Sequence, residues 1–393
     1  MKKYIELGKK LFPLNRSITG KGLFKTLKIL KKENNSIKIK KFNSGEKVFD
    51  WKVPSEWQIN NAYVKDFSGK KIIDFKNNNL HLVGYSTYIK KRIKFSELIK
   101  KIHFHDGNHN AIPYKTSYYR KDWGFCVNKK FFKYLIKKYS NNNLFQVVID
   151  SKFKKNGFMH YGEAYIKGKN KKEILISTYI CHPSMANNEL SGPLLSLALL
   201  NYFEKKKNFY SLRFLFLTET IGTIAYINKN FKNLKKNVIG GYVLSCVGDT
   251  NNYSYIPTKY SNTITDYSIK KAFKDLNITP KTYSFLDRGS DERQYNSANI
   301  PIGTFCRTKF GAYKEYHSSL DNFNLVTSKG LKGSYKLMIK TIKNFPKDYN
   351  IYKYLDHKDP KKKNYLSTTV CEPFLEKRNL FPKEGLLIVK NKS

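Results

Sequence analysis

Two histidines, a glutamate and an asparagine stand where their side chains could hold a metal ion. His182 follows a run of β-forming residues, and Asn188 comes six residues later. Glu219 follows a second such run, and His317 lies about a hundred residues beyond it. Neutral imidazoles and oxygen donors bind Zn²⁺, which acidifies its water, and a Glu that does not bind the metal can take the proton. These residue types predict metal-dependent hydrolysis with Glu219 as the general base.

The spacing of these residues requires loops between strands and helices. His182 and Asn188 are too far apart for an H-E-x-x-H site, in which both metal-binding histidines lie on one helix. In an open α/β sheet, ligands bind outside the carboxyl ends of the strands. We therefore expect the polar residues that follow each strand to meet at one edge of a sheet.

Buried strands alternate with helices beyond about residue 131, which is typical of a doubly wound α/β fold with a mixed sheet. A helical region that is interrupted at residues 15–20 precedes them. The predicted strands cover residues 173–180, 212–217, 238–245 and 300–305, and the predicted helices cover residues 193–203, 262–276 and 332–345.

A region of different texture separates the two helical parts. Short aromatic and β-branched runs between residues 46 and 130 are broken by Pro, Gly and Asn, which predicts a small β-rich domain. We expect residues 1–45 and 131–345 to form one discontinuous α/β domain with residues 46–130 inserted in it. Residues 346–393 would form a C-terminal extension that packs on the main domain.

Several strings of the sequence match a known family. The chain resembles the co-catalytic zinc aminopeptidases, which include glutamate-carboxypeptidase-like members. It more closely resembles bacterial aminopeptidase-like proteins that are often encoded among surface-polysaccharide genes. The resemblance implies the phosphorylase/hydrolase-like fold of these aminopeptidases. The matching strings are Arg16-Ser-Ile-Thr-Gly20, Ile112-Pro-Tyr-Lys-Thr-Ser-Tyr-Tyr119, Trp123-Gly-Phe-Cys126, the segment 181–193, Glu219-Thr-Ile-Gly222, Ser290-Asp-Glu-Arg-Gln-Tyr295 and Tyr316-His317 with Asp321.

The resemblance implies that His182, Asn188 and His317 are metal ligands and that Glu219 is the general base. The chain departs from the family at three ligand positions. Asn188 replaces a bridging Asp, Thr220 replaces a second Glu, and Cys246 replaces a further Asp. We therefore expect one Zn²⁺ rather than two.

Four more residues are candidates either for an additional metal ligand or for a group that holds the ligands in place. Cys246 and Glu189 could complete the metal shell, although a cysteine after a buried strand is more often a small buried apolar residue. Asp291 and Asp321 could orient the histidines or cap turns. A separate cluster, residues 103–109, holds three histidines and an aspartate, and we interpret it as a loop at the edge of the β-rich domain.

Composition narrows the class of partner. The chain has 393 residues and a formal net charge of +44, but only eight of its 74 cationic residues are arginine, and the lysines are dispersed. Nucleic-acid sites concentrate charge and rely on arginine, so this pattern disfavours them. The five scattered cysteines and the absence of a long apolar run predict a cytoplasmic protein that does not span a membrane.

Two functions are consistent with these features. The first is an aminopeptidase-like or amidohydrolase-like enzyme that acts on a small peptide or on an aminoacyl or amino-sugar conjugate. The second is a catalytically degenerate binding protein of the same fold that acts in surface-polysaccharide biosynthesis, which Asn188 and Thr220 favour. A homo-oligomer is compatible with either function.

Overall fold

The structure is a computed structural model that describes residues 1–118, 120–287 and 289–348, together with the backbone of two short strands beyond them. The described helices begin and end as follows: α1 Lys2–Leu11, α2 Lys21–Glu33, α3 Phe95–Leu98, α4 Lys129–Lys138, α5 Ser191–Phe203, α6 Ile221–Asn237, α7 Ile264–Asp275, α8 Asp291–Ser297 and α9 Ser328–Lys343. None of these helices combines the length and the apolar character that a membrane crossing requires.

The strands of the described residues fall into one large sheet, one smaller sheet and three two-stranded pairs. Their bounds are β1 Lys38–Asn43, β2 Lys47–Val48, β3 Trp51–Lys52, β4 Glu56–Lys65, β5 Lys71–Asp74, β6 Ile89–Lys94, β7 Ile102–His103, β8 Phe125–Cys126, β9 Leu144–Lys154, β10 Phe158–Ile166, β11 Asn170–Tyr179, β12 Tyr210–Leu217, β13 Val238–Leu244, β14 Ser254–Ile256, β15 Lys281–Thr282, β16 Ile302–Cys306, β17 Leu366–Ser367 and β18 Leu386–Leu387.

The large sheet has eight strands in the order β1-β10-β12-β11-β13-β16-β14-β15. Its four central strands, β12, β11, β13 and β16, are parallel, whereas β10 and β14 run antiparallel to their central neighbours. The central strands are almost wholly buried because helices cover the sheet. This arrangement confirms the predicted mixed α/β sheet.

The strand order reverses at β11. The chain leaves β11 through α5 to reach β12 on one side, and then passes through α6 to reach β13 on the other side. In open α/β sheets, ligands bind at the carboxyl end of the strands where the order reverses. The loop that follows β11 therefore lies at the favoured position for a site, and this loop carries His182.

The smaller sheet has the order β5-β4-β9-β6. Most of it belongs to the predicted insertion at residues 46–130, but β9 lies beyond that boundary and pairs with both β4 and β6. The chain then passes directly from β9 to β10 of the large sheet. One hydrophobic core runs through the residues of both sheets, so the inserted region is packed against the main domain.

Local patterns predicted most central elements to within a few residues. The break at residues 15–20 separates α1 from α2, and the four predicted central strands correspond to β11, β12, β13 and β16. Helices α4, α6 and α8 were not predicted. Apart from residues 346–348 and two short strands, the predicted C-terminal extension lies outside the described residues.

Candidate active site

Loops after the central strands converge at one edge of the large sheet, and their backbone is strained. Ser184, Thr220, Cys246 and His317 all adopt positive φ values, of 46°, 59°, 53° and 53°. Such conformations are uncommon for residues other than glycine, and they concentrate at functional sites, where the surrounding structure must hold them in place. Residue types alone did not indicate this strain.

His182 is fixed in its orientation by Glu189. The side chain of His182 is 5% exposed, and its Nδ1 lies 2.6 Å from Oε2 of Glu189, which is completely buried. A carboxylate that accepts the Nδ1 proton leaves Nε2 as the atom that can bind a metal, and this is the usual arrangement around histidine ligands. Glu189 therefore positions His182.

The remaining ring nitrogen of His182 faces Glu219. Its Nε2 lies 3.4 Å from Oε2 of Glu219, while Oε1 of Glu219 accepts a hydrogen bond of 2.8 Å from Oγ of Ser290. Burial by itself lowers the pKa of His182, but the two carboxylates outweigh it and raise that pKa above its ordinary value. The arrangement places a buried carboxylate beside an oriented imidazole.

His317 joins His182 in this pocket. The centroids of the two imidazole rings are 5.3 Å apart, and His317 stacks on Tyr316 at 3.9 Å. The ring of Tyr114 packs against both histidines, and its backbone N–H donates to the carbonyl of His317 at 2.8 Å. Because Tyr114 belongs to the inserted region, that region forms one wall of the site.

A single π-helical turn, Ala186–Leu190, precedes α5 and carries Asn188 into the site. The completely buried carboxylate of Asp321 holds this turn by accepting hydrogen bonds from the backbone N–H groups of three successive residues, Ala186, Asn187 and Asn188. Burial raises the pKa of Asp321 to about 6, against the effect of these hydrogen bonds. Asp321 is therefore a positioning residue for the turn.

The side chain of Asn188 is 1% exposed, and its Nδ2 donates to the hydroxyl of Tyr179 at 3.3 Å. Its Oδ1 has no hydrogen-bond partner among the described residues. Sγ of Cys246 lies 3.9 Å from the same Nδ2, and burial raises the pKa of this thiol to about 12. Asn188 and Cys246, two of the three residues that were expected to replace carboxylates, therefore carry neutral groups.

Asp291 lies behind the proposed base. Its Oδ1 accepts a hydrogen bond of 2.7 Å from the backbone N–H of Thr220, the strained residue that follows Glu219. Burial, and then the charge of Glu219, raise the pKa of Asp291 well above its ordinary value. Asp291 therefore supports the strained turn at Thr220.

Sequence reasoning missed the role of Arg16. This residue is 1% exposed, and it donates from Nε to the carbonyl of His182 at 3.0 Å and from Nη1 to the carbonyl of Leu11 at 2.5 Å. Burial lowers the pKa of Arg16 to about 10. A rare arginine at a helix break in a lysine-rich chain was the available signal.

The structure does not bring the histidine-rich segment 103–109 together as a metal cluster. His105 Nδ1 accepts a hydrogen bond of 3.0 Å from the backbone N–H of Asn108, and the exposed Asp106 pairs with Lys129 at 3.0 Å. Its histidines are absent from the one group of three close metal-binding side chains found in the described residues.

Most of the chain matches one protein family. A family model described as a domain of unknown function (DUF4910) matches residues 5–348. The chain belongs to the DUF4910 family. A Clostridium acetobutylicum relative named "Putative polysaccharide biosynthesis protein with aminopeptidase-like domain" is 40% identical over 373 residues, which cover 94% of this chain and 81% of the relative.

Solved structures place the DUF4910 chain in the zinc aminopeptidase fold. A crystal structure described as a "putative peptidase" from Clostridium acetobutylicum has a TM-score of 0.83 at 40% identity, over 87% of this chain and 79% of that one. A zinc aminopeptidase from Bacillus subtilis has a TM-score of 0.62 at 13% identity, over 86% of this chain and 93% of that one. The second likeness shows the fold alone.

The fold implies zinc, and the donor atoms of the DUF4910 chain fit one ion. Two imidazoles that share one tetrahedral Zn²⁺ at about 2.1 Å have ring centroids roughly 5 Å apart, close to the 5.3 Å between His182 and His317. The amide oxygen of Asn188 is buried without a partner in the described structure, and it offers a third oxygen or nitrogen donor on the turn that follows the His182 loop. A second ion would need the carboxylates that Asn188, Thr220 and Cys246 replace.

A second group of donors lies on the opposite side of the His182 ring. Ligand atoms of Cys181, His182 and Glu189 all lie within 4.8 Å of one another, the only such group among the described residues. The Nδ1 atom of His182 in this group is already hydrogen-bonded to Glu189. The positive charge of buried Arg16 also acts on both Cys181 and Glu189. A cation there would be repelled by the guanidinium, so we favour the Nε2 side.

Proposed function

We propose that the protein is a metal-dependent amidohydrolase of the aminopeptidase type, with Glu219 as its general base. The observation that carries this proposal is the orientation of His182: Glu189 holds Nδ1, which directs Nε2 toward Glu219 at 3.4 Å. An imidazole held in this way beside a buried carboxylate, with a second imidazole 5.3 Å away, is the arrangement that metal-assisted hydrolysis uses.

The residues of the chain take separate roles in this proposal. His182 and His317 would hold one Zn²⁺, with Asn188 as a further oxygen donor, and a bound zinc would supply an acidified water and polarise the scissile carbonyl. Glu219 would take the proton of that water at Oε2 and pass it to the leaving nitrogen. Ser290 holds the other oxygen of Glu219, so the carboxylate keeps its orientation during the transfer.

The substrate is proposed to be an aminoacyl or amino-sugar amide, or a small peptide. An amide or aminoacyl bond suits the proposed chemistry, because its carbonyl carbon can be attacked by the activated water. The name of the Clostridium acetobutylicum relative supports a role in polysaccharide biosynthesis. A nucleic-acid partner is disfavoured because the lysines are dispersed along the chain.

A second candidate function is a catalytically degenerate binding protein of the same fold. The neutral side chains of Asn188 and Thr220 favour it, because the resemblance implies negatively charged zinc ligands at these positions in the zinc aminopeptidases. The buried thiol of Cys246, whose pKa is raised to about 12, does not compensate for them unless a metal displaces its proton.

Metal content separates the two functions. Protein purified after growth with zinc should carry about one equivalent of Zn²⁺ by elemental analysis, and a panel of aminoacyl p-nitroanilides should reveal hydrolysis that chelation removes. A His182→Ala, His317→Ala double variant is the matched control and should lose the zinc. A wild-type zinc content below about a tenth of an equivalent would exclude the enzyme and leave the binding protein.

A further inference from the structure

A cleft with a basic lining opens beside the loop that carries His182. Its outer part has a volume of about 280 Å³ and lies between the start of α2 and the strand β4 of the inserted region. An inner cavity of about 10 Å³ lies deeper and is lined by Arg16, Ser17 and Pro183. Asn79 and Trp57 line both parts, so the two are direct neighbours. The outer volume is near the lower end for small-molecule sites, roughly 300 Å³.

The charges that line this basic cleft have one sign. Lys21 and Lys25 line the outer part, and Arg16 lines the inner cavity. No Asp or Glu lines either part within the described residues. Positive groups gathered in a concave surface raise the local concentration of anions, and they do so most effectively where low-dielectric walls focus the field.

Two buried polar atoms in the inner part lack partners. Nη2 of Arg16 and Oγ of Ser17 form no hydrogen bond with any described residue, although the two residues are only 1% and 3% exposed. Glu189 is the acid whose charge acts most strongly on Arg16, but neither a hydrogen bond nor an ion pair joins these two described residues. A buried donor without a partner is costly, so such atoms mark the place where a ligand or a water completes the structure.

The basic cleft is connected to the active-site loop. Nδ2 of Asn79 donates to Oγ of Ser184 at 2.8 Å, and Ser184 is the strained residue two positions after His182. Pro183 and Tyr114 line the inner cavity, and the Tyr114 ring also contacts both site histidines. A group held in the inner cavity would therefore be separated from the two site histidines by the ring of Tyr114.

We propose that the basic cleft binds the carboxylate or phosphate of a small anionic sugar, as a subsite for the substrate. Lys21 and Lys25 attract the anion, and the half-buried side chains of Phe75 and Ile59 provide apolar surface for the sugar. The inner cavity is about the size of one water, so it holds a water or a single oxygen-bearing group that pairs with Arg16 and Ser17. This role as a substrate subsite rests on the proposed function, whereas binding itself needs neither metal nor turnover.

Calorimetric titration of the full chain with three probes tests the proposal. At least one of glucuronate and glucose 6-phosphate should bind at least about tenfold more tightly than glucose, and the affinity of that anion should fall at high salt. The two anionic probes distinguish a carboxylate from a phosphate as the recognised group. Equal affinity for glucose, or no binding of either anion, would overturn the proposal.

Variants then locate the binding. The double variant Lys21→Gln, Lys25→Gln should weaken binding of the anion about tenfold. The double variant Lys31→Gln, Lys32→Gln makes the same charge change at the other end of α2, outside the cleft lining, and should leave binding unchanged. An equal loss in both pairs would show a general charge effect and would contradict a specific site.

Ser17→Ala probes the inner cavity without endangering the fold. The hydroxyl has no partner in the described structure, so its removal should leave the melting temperature unchanged or raise it, while binding of the anion weakens. Unchanged binding would remove the inner cavity from the site.

The titrations are repeated after chelation and with Glu219→Gln. Binding that persists there would show that the subsite needs neither metal nor base. Zinc-loaded wild-type protein that binds the anion but has no amidase activity would refute the proposed function and leave the subsite standing.

Discussion

Glu189 and His182 are joined directly by their side chains in the candidate site, with Oε2 of Glu189 lying 2.6 Å from Nδ1 of His182. Glu189 lies in the π-helical turn before α5, and His182 lies in the loop after β11. Because both side chains are buried, water cannot replace this contact. The tautomer and the direction of the imidazole therefore depend on a residue that need not touch the metal or the substrate.

Glu189→Gln should weaken zinc binding about 10- to 100-fold, because loss of a partner to a histidine ligand has an effect of that size. The amide can still accept a hydrogen bond but removes the charge. Competition with a fluorescent zinc chelator measures the affinity, and circular dichroism verifies folding. Zinc affinity that matches the wild type would show that Glu189 does not position His182 for a metal.

Glu219→Gln should abolish hydrolysis, with a loss of about 10²- to 10⁴-fold in rate, while zinc content stays at the wild-type level. The glutamine keeps the size of the side chain and its contact with Ser290, but it cannot take a proton. Ser290→Ala is the milder companion, since it frees one carboxylate oxygen without removing the base. Full activity of Glu219→Gln would exclude Glu219 as the base.

Asn188→Asp should make stability depend on zinc. A new carboxylate at a position that is 1% exposed destabilises the metal-free protein, and zinc should restore the stability by neutralising it. Melting temperatures with zinc and with chelator measure the difference, which should exceed that of the wild type. Equal shifts in the two proteins would mean that Asn188 does not face a metal.

Asn187→Asp is the matched control for that experiment. Asn187 lies next to Asn188 in the same turn, but its Nδ2 donates to Asp249 at 3.1 Å and its Oδ1 accepts from the backbone of Gly248 at 2.9 Å. A carboxylate there would face that of Asp249. The control should therefore lose stability by the same amount with zinc as with chelator.

Glu163→Gln should lower the free energy of unfolding by about 3 kcal/mol at neutral pH, because it breaks a buried ionic network. Glu163 on β10 is 6% exposed, pairs with Arg213 and Lys40, and accepts a hydrogen bond of 2.6 Å from Tyr226. Although burial raises the pKa of Glu163, these partners outweigh burial and lower it below 4.5.

The sign of the pH dependence follows from that lowered pKa. The stability that Glu163 contributes is present above its unfolded-state pKa near 4.5, and it disappears as the pH falls through the lower folded-state pKa. Denaturant titrations should therefore show the gap between variant and wild type closing below pH 4.5. A gap that stays constant would mean that the ionised carboxylate does not stabilise the fold. Lys40→Met, at the exposed end of the network, should change stability by less than about 1 kcal/mol.

Hydrophobic patterns predicted the central strands because buried parallel strands are nearly continuous apolar runs. The elements that were missed have weaker patterns. Strand β9 reads Leu-Phe-Gln-Val-Val-Ile, and only its pairing with β4 and β6 shows that it belongs to the smaller sheet. The first turns of helix α6 are buried and largely apolar, so in the sequence they resemble a continuation of β12. The last turn of α6 carries lysines.

By itself the sequence determined the fold class, the strand ends that carry polar residues, and the three positions where neutral side chains replace family ligands. These features depend on residue type and on short-range spacing. Tertiary structure alone decided that Glu189 orients His182, that Asp321 holds the π-helical turn, and that Arg16 supports the His182 carbonyl from 166 positions away. The last two contacts join residues far apart in the chain, and even the first depends on the unusual turn between two elements. Hydrogen-bond geometry of this kind is fixed only when the loops pack together at the carboxyl ends of the strands and exclude water from that edge of the sheet.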